Sequence, residues 1–283
     1  MVTGGHRTWQ DCDMWWRPRR KRLLFITGAS GFLGRHLLPA SEVGEWELLA
    51  PSSRILDVHD RERVLAEITT WKPNAIVHLA YRKGDRGTII DGSRHVAEAA
   101  AACGAHLIHL STDLVFAGRP QPYSEHDRPD ATSVYGRWKA ESETAVMTAH
   151  PSALTVRTSL LYGTTHLAPC QRDVDDAITG RSRMSFFEDE FRCPAHAADV
   201  AAALVTLADR PDVTGTLHLA GPNRISRAEL AGAFARRLGG ESARVRTSTL
   251  AASGVDRPGN LVLDVSRAAS LGIQCRDVET ALR

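Results

Sequence analysis

Five short apolar runs recur along the first 160 residues: RLLFIT (22–27), EWELLA (45–50), AIVHLA (75–80), HLIHLS (106–111) and ALTVRT (153–158). Each has the length and aliphatic content of a buried strand. Between them, apolar residues recur at helical spacing near 32–40, 60–70, 88–103 and 135–149. Strands that alternate with helices predict a parallel sheet, because each parallel pair needs a crossover and right-handed crossovers lay helices on both faces. The expected fold is α/β, a Rossmann doubly wound parallel sheet followed by a small C-terminal α/β lobe.

The alternation loosens after about residue 165. AHAADVAAALVTLADR and SRAELAGAFARRLGG read as helices, the second opened by Ser226 with Glu229 three positions on and closed by Gly239-Gly240. GTLHLAG between them reads as a strand. The expected division is an N-terminal extension over 1–21, a Rossmann domain over 22–165, and a lobe over 166–283 that covers the strand C-termini.

Composition narrows the picture only slightly. Over 283 residues, 43% hydrophobic and 24% charged content describe a soluble globular chain, and a net charge of +2 gives no bulk argument for nucleic acid. No apolar run spans a bilayer, and residues 1–21 lack a hydrophobic signal core, so the cytoplasm is the expected location and no membrane partner is expected. That first stretch, with three tryptophans and the basic run ending Arg17, Arg19, Arg20, Lys21, shows no period and is expected to be disordered. Five scattered cysteines (Cys12, Cys103, Cys170, Cys193, Cys275) fit neither a disulfide framework nor a metal knuckle, so reduced thiols and no metal are expected.

The clearest chemistry lies in FITGASGFLGRHLL, a strand, a glycine-rich turn and a helix. Gly28, Gly31 and Gly34 let backbone N–H groups approach a pyrophosphate at a helix N-terminus, with Ser30, Phe32 and Leu33 between them. In a strand-helix-strand context this predicts dinucleotide binding. The second strand ends in APSSR, without the carboxylate that would accept bonds from an NAD ribose; Ser53 and Arg54 instead suit a 2′-phosphate, so NADP is favoured over NAD.

Taken with STDLVFAG, PYSEHDRPDATSVYGRWKAE, VRTSLLYG, FRCPAHAADVA and RPGNLVLDVSRAASLGI, the chain resembles the extended short-chain dehydrogenase/reductases over about residues 22–275. Within them it resembles the dTDP-4-dehydrorhamnose reductase branch. That resemblance implies an oxidoreductase in which Thr112 bonds the substrate carbonyl, Tyr135 protonates the forming alkoxide, and Lys139, one helical turn on, lowers the Tyr135 pKa and binds the nicotinamide ribose. It further implies Asp57 and Val58 beside the adenine, and Leu79, Ala80 and Tyr81 along the cofactor. Thr158 and Ser159 would lie near the carboxamide or form a structural turn.

The implied substrate is a nucleotide-linked 4-keto-6-deoxysugar held under the smaller lobe, with Arg192 and Tyr81 as candidate ligands, and the possible protein partner is a second copy of the chain. An ion pair of Arg192 with Glu188 or Asp189 is the competing reading; for His196 a structural role is expected. Three departures alter the pocket wall: YRKGDRGTIIDGSRHV lacks the branch's usual Tyr-Thr-x-Val-Asp run, Leu160 stands where tryptophan is usual, and Trp138 replaces a small polar residue. Two alternatives stay open. One is a non-catalytic binding subunit resembling the methionine adenosyltransferase β subunit; the other is a sugar-nucleotide epimerase.

Overall fold

The computed structural model describes residues 22–42 and 46–283; the stretch 1–21, with its expected disorder and Cys12, lies outside the described residues. Strands β1 (Arg22–Thr27), β2 (Trp46–Leu49), β3 (Ala75–His78), β4 (His106–Thr112) and β5 (Leu154–Thr158) fall on the five apolar runs. Helices α1 (Phe32–Glu42), α2 (Arg61–Trp71), α3 (Arg86–Ile89), α4 (Asp91–Cys103) and α5 (Val134–Ala149) alternate with them. Side-chain caps fix several starts: Asp60 accepts from the Arg63 N–H, Asp85 from Thr88 and Ser133 from Gly136. The single helix expected over 88–103 is two, broken at Ile90.

Beyond β5 the chain runs through β6 (Leu161–Tyr162), α6 (Pro169–Ile178), β7 (Ser185–Phe187), β8 (Phe191–Arg192), β9 (Ala195–His196), α7 (Ala197–Ala208), β10 (Gly215–His218), β11 (Ile225–Ser226) and α8 (Arg227–Arg237). It ends with β12 (Arg246–Ser248), α9 (Leu250–Ser253), α10 (Ser266–Ser270) and α11 (Val278–Leu282). Ser226 and Glu229 form the expected capping box on α8.

The central sheet has the order β2-β1-β3-β4-β5-β10, and every pairing is parallel. Successive β1 side chains feed opposite layers. Leu24 and Ile26 pack with Val77, Ile108, Val156 and the α7 residues Val200 and Leu204, whereas Phe25 packs with Val64, Ile68, Val96 and Val146. A fully buried side chain of this size contributes about 1.5–3 kcal/mol, so burial on both faces accounts for strands that are apolar throughout.

Lobes do not follow chain order. Strand β10 pairs with β5, and α7 packs on α1, so residues 197–218, inside the segment 166–283, return to the sheet. Helices α6, α8 and α11 gather around Phe234, Tyr162, Val174 and Leu282 as a separate cluster, while α10 joins the sheet core through Ala268. The chain leaves β1 toward β2 on one side while β3 lies on the other, and this switch point opens a crevice at the strand C-termini.

Candidate active site

A cavity of about 420 Å³ fills that crevice. Its floor is the turn between β1 and α1, with Gly28, Ser30, Gly31, Phe32, Leu33 and Gly34 all lining it. Two of the glycines are demanded by backbone packing. Gly28 has φ +73°, and a Cβ there would stand 2.6 Å from the Ala80 nitrogen; one on Gly34 would stand 2.6 Å from the Ala29 backbone. Gly31 is exposed toward the cavity, and its N–H closes the turn onto the Gly28 carbonyl at 3.0 Å. The first N–H groups of the 11-residue helix α1 therefore point at open space, the arrangement that holds a diphosphate. These residues fit a dinucleotide.

At the far end, Ser52, Ser53, Asp57 and Val58 line the cavity, and Asp57 accepts the His59 N–H at 3.0 Å. Arg54 is exposed and does not line it; its turn, tied by the Ile55 and Leu56 N–H groups to the Ser52 carbonyl, presents the serines instead. Leu79, Ala80 and Tyr81 line the opposite wall. The Tyr81 ring is 52% exposed and meets the Tyr135 ring edge-on, centroids 5.5 Å apart.

Tyr135 and Lys139 both line the cavity from the first turns of α5. Gly136 between them allows the approach: a Cβ there would run into the Leu114 carbonyl, in the short 3-10 turn that follows Thr112. Their electrostatics differ from the expectation. Burial, then Tyr81 and Asp113, push the Tyr135 phenol well above its ordinary 10, and the opposing cation is Arg192. Lys139 is turned to β4, where Nζ donates to the Leu110 carbonyl at 2.7 Å and lies 3.4 Å from His109 Nε2. Burial pulls its ammonium down to about 8, against Glu143, which raises it.

Thr112, at the end of β4, is half-buried and lies outside the cavity lining. Its Oγ1 accepts the Leu114 N–H and donates to Asp113 Oδ1, each at 3.2 Å. Arg192 is not a free ligand. It is buried, and its Nε and Nη2 donate to Asp113 at 2.8 and 2.6 Å, with Glu190 3.6 Å away. Its partner is thus neither Glu188 nor Asp189. Ser159 donates to the same Asp113 at 2.6 Å and accepts the Cys193 N–H, a structural tie. His196 is buried against Tyr162 and lies 3.3 Å from Arg276, which grips Asp199 in the first turn of α7. Trp138 and Leu160 are half-buried and also stand outside the lining.

Sequence reasoning missed a buried polar layer that reaches the cavity wall through His78, His109 and Ser111. His78 bridges Thr27 Oγ1 at 2.7 Å and Ser93 Oγ at 3.0 Å, and stacks on His109. Burial, then Lys139, lowers His78 to about 3 and His109 well below its ordinary 6.5. Glu143, one turn beyond Lys139, takes Ser111 and both Nε and Nη2 of Arg157. One signal was available: AIVHLA and HLIHLS carry histidine at the same fourth position, which equal register makes neighbours.

A family model described as RmlD substrate binding domain matches residues 21–283. The chain is 31% identical to methionine adenosyltransferase 2 subunit beta of Bos taurus over 89% of this chain and 83% of that protein. It is 34% identical to dTDP-4-dehydrorhamnose reductase of Sinorhizobium fredii, over 74% and 75% of the two. Among solved structures, dTDP-4-dehydrorhamnose reductase of Bacillus anthracis in complex with NADP superposes with a TM-score of 0.83 at 25% identity, covering 93% of this chain and 97% of that one.

Proposed function

The chain belongs to the RmlD substrate binding domain family, and from that premise we propose that it is an NADPH-dependent reductase of a nucleotide-linked 4-keto-6-deoxysugar. The observation that carries this reading is the convergence on one cavity of the glycine turn, Tyr135 and Lys139, with Thr112 at the adjoining strand end. The reductases of Sinorhizobium fredii and Bacillus anthracis support the substrate class, and the NADP of the second supports the cofactor. The missing carboxylate after β2 favours NADP over NAD, and Ser52 and Ser53, which line the cavity, would hold the 2′-phosphate.

A nicotinamide cofactor held in this cavity would supply the hydride for a sugar ketone. Tyr135 is the proton donor, and its raised pKa keeps the phenol protonated at neutral pH, the state a reduction needs. Once the proton has left, the Lys139 ammonium would stabilise phenolate by turning from the Leu110 carbonyl toward Tyr135, and the same group is the proposed anchor of the ribose. Thr112 orients the carbonyl oxygen. Tyr81, exposed at the mouth and edge-on to Tyr135, shields the reacting centre from water.

The test is turnover of NADPH and NADH by the purified protein with a panel of dTDP-4-keto-6-deoxysugars. At least one is reduced with NADPH preferred, and Tyr135→Phe lowers kcat by about 10²–10⁴ without weakening NADPH binding. Dinucleotide binding without turnover on any sugar would sink the reductase reading. A second reading has a specific support, the bovine β subunit matched in sequence over 89% of this chain against 74% for the Sinorhizobium fredii reductase. It makes this protein a dinucleotide-binding subunit of a methionine adenosyltransferase, tested by co-purification with that enzyme and a change in its KM.

A further inference from the structure

Asp113 is fully buried at the end of β4, next in sequence to Thr112, and both of its oxygens are taken. Oδ1 receives Arg192 Nη2 and the Thr112 hydroxyl; Oδ2 receives Arg192 Nε and the Ser159 hydroxyl. Arg192 comes from β8, 79 residues later, in the segment that crosses from the lobe. A planar guanidinium that meets a carboxylate with two parallel N–H groups fixes both position and rotation. Asp113 is therefore an anchor whose orientation is set from the opposite lobe, and the Thr112 hydroxyl is oriented by Asp113 on one side and by the Leu114 N–H on the other.

We propose that Arg192 is a positioning residue, which through Asp113 orients the Thr112 hydroxyl toward the substrate carbonyl and leaves Tyr135 as the sole proton donor. This rests on the reductase reading above. The geometry has two chemical consequences. With Asp113 locked, the 3.2 Å Thr112 bond is the weakest of its four, so the threonine hydroxyl is the member free to turn onto a substrate oxygen. With both oxygens taken by Arg192, Ser159 and Thr112, Asp113 has no free lone-pair position aimed at a substrate, so it serves as an anchor and not as a second acid-base group beside Tyr135. The arginine that sequence alone offers to the substrate thus acts one residue removed from it.

The experiment compares wild type, Arg192→Gln, Arg192→Lys and the paired Arg192→Met/Asp113→Leu variant, each with NADPH and its 4-deuterated form. Turnover by the wild type is read first, since its absence would overturn the reductase reading before any variant is measured. The expected result for Arg192→Gln is a fall in kcat of about 10–100-fold with the KM for NADPH unchanged, and a larger deuterium effect because the chemical step has become limiting. Arg192→Lys recovers part of kcat. The paired variant removes both charges and so keeps the fold where a single change leaves a buried carboxylate unpaired. If it restores both thermal stability and wild-type kcat, the pair is only structural and the proposal is overturned; restored stability with kcat still low supports it. An Arg192→Gln variant that folds and keeps the wild-type kcat and isotope effect also overturns it.

Discussion

His78 and His109 lie side by side on adjacent parallel strands, ring centroids 5.5 Å apart and planes inclined by 21°, in the wall of the candidate site. Both are buried and neutral in the fold. Burial is the larger cause and the nearby Lys139 ammonium the second, since a protonated imidazole there would face a like charge.

The pair makes stability fall in acid. In the unfolded chain each histidine takes a proton near its ordinary 6.5, whereas His78 in the fold does so only near 3. Stability is full above about 6.5 and is lost as the pH drops below it, by up to about 1.4 kcal/mol per pH unit for each histidine. Urea unfolding at pH 7 and pH 5 should show the loss, and His109→Gln should reduce the difference. An unchanged difference in that variant would mean that His109 titrates normally.

The two histidines also mark how far the sequence could be read. Strand positions and the glycine turn were legible because they depend on local pattern: apolar runs, and a turn that tolerates no Cβ at Gly28. Tyr135 and Lys139 were legible because four-residue spacing fixes one helix face. The direction of their electrostatics was not, since Lys139 reaches a carbonyl on β4, 29 residues earlier, and the charge opposing Tyr135 comes from β8. Arg192 fails for the same reason. Its partner Asp113 is 79 residues away, and nothing in FRCPAHAADVA distinguishes an arginine turned inward from one offered to a diphosphate. Residues 197–218 return to the sheet because α7 is apolar enough to pack on α1, a tertiary fact that chain order conceals.

On the reductase reading, Lys139 should set the alkaline side of the activity. Its ammonium, lowered to about 8 by burial, is present below that pH and lost above it, so kcat for ketone reduction should decline as the pH rises through about 8. Stability moves the other way. The unfolded lysine holds its proton up to about 10.5, so between 8 and 10.5 burial of the neutral amine carries a falling penalty and the fold gains from this group. Lys139→Met should abolish the alkaline limb of whatever activity survives and remove that gain, measured as the wild-type-minus-variant difference in unfolding free energy at pH 8 and 10. A difference that does not change with pH would contradict the assignment.

Cofactor choice is testable at Ser53. It lines the cavity where a ribose-binding carboxylate would sit, so Ser53→Asp should accept bonds from a 2′-hydroxyl and repel a 2′-phosphate. The ratio of NADPH to NADH affinity should fall by at least about tenfold, or about 1.4 kcal/mol. Fluorescence titration of both cofactors decides it. An unaltered ratio would move the discriminating contact to another residue of that turn.

Gly136 separates the requirements of the proposed catalytic pair, Tyr135 and Lys139, from those of the glycine turn after β1. Its missing side chain lets α5 press against the turn after Thr112, because a Cβ would strike the Leu114 carbonyl and lie 2.9 Å from the Ala131 methyl. The nearest neighbour is the Leu114 backbone, which yields little, so Gly136→Ala must shift the first turn of α5 outward and carry Tyr135 with it. Alanine's better helix propensity offsets only about 1 kcal/mol, while overpacking of this kind costs about 1–3 kcal/mol, so the net stability change is small or modestly negative. Activity is the sensitive readout. A displacement of the proton donor by a fraction of an ångström to one ångström should lower kcat by about 10–100-fold, and the glycine turn after β1 is untouched. NADPH binding should therefore stay within about twofold of wild type while turnover falls. A parallel loss of both would place the strain in the whole crevice instead of at the Thr112–Tyr135 junction.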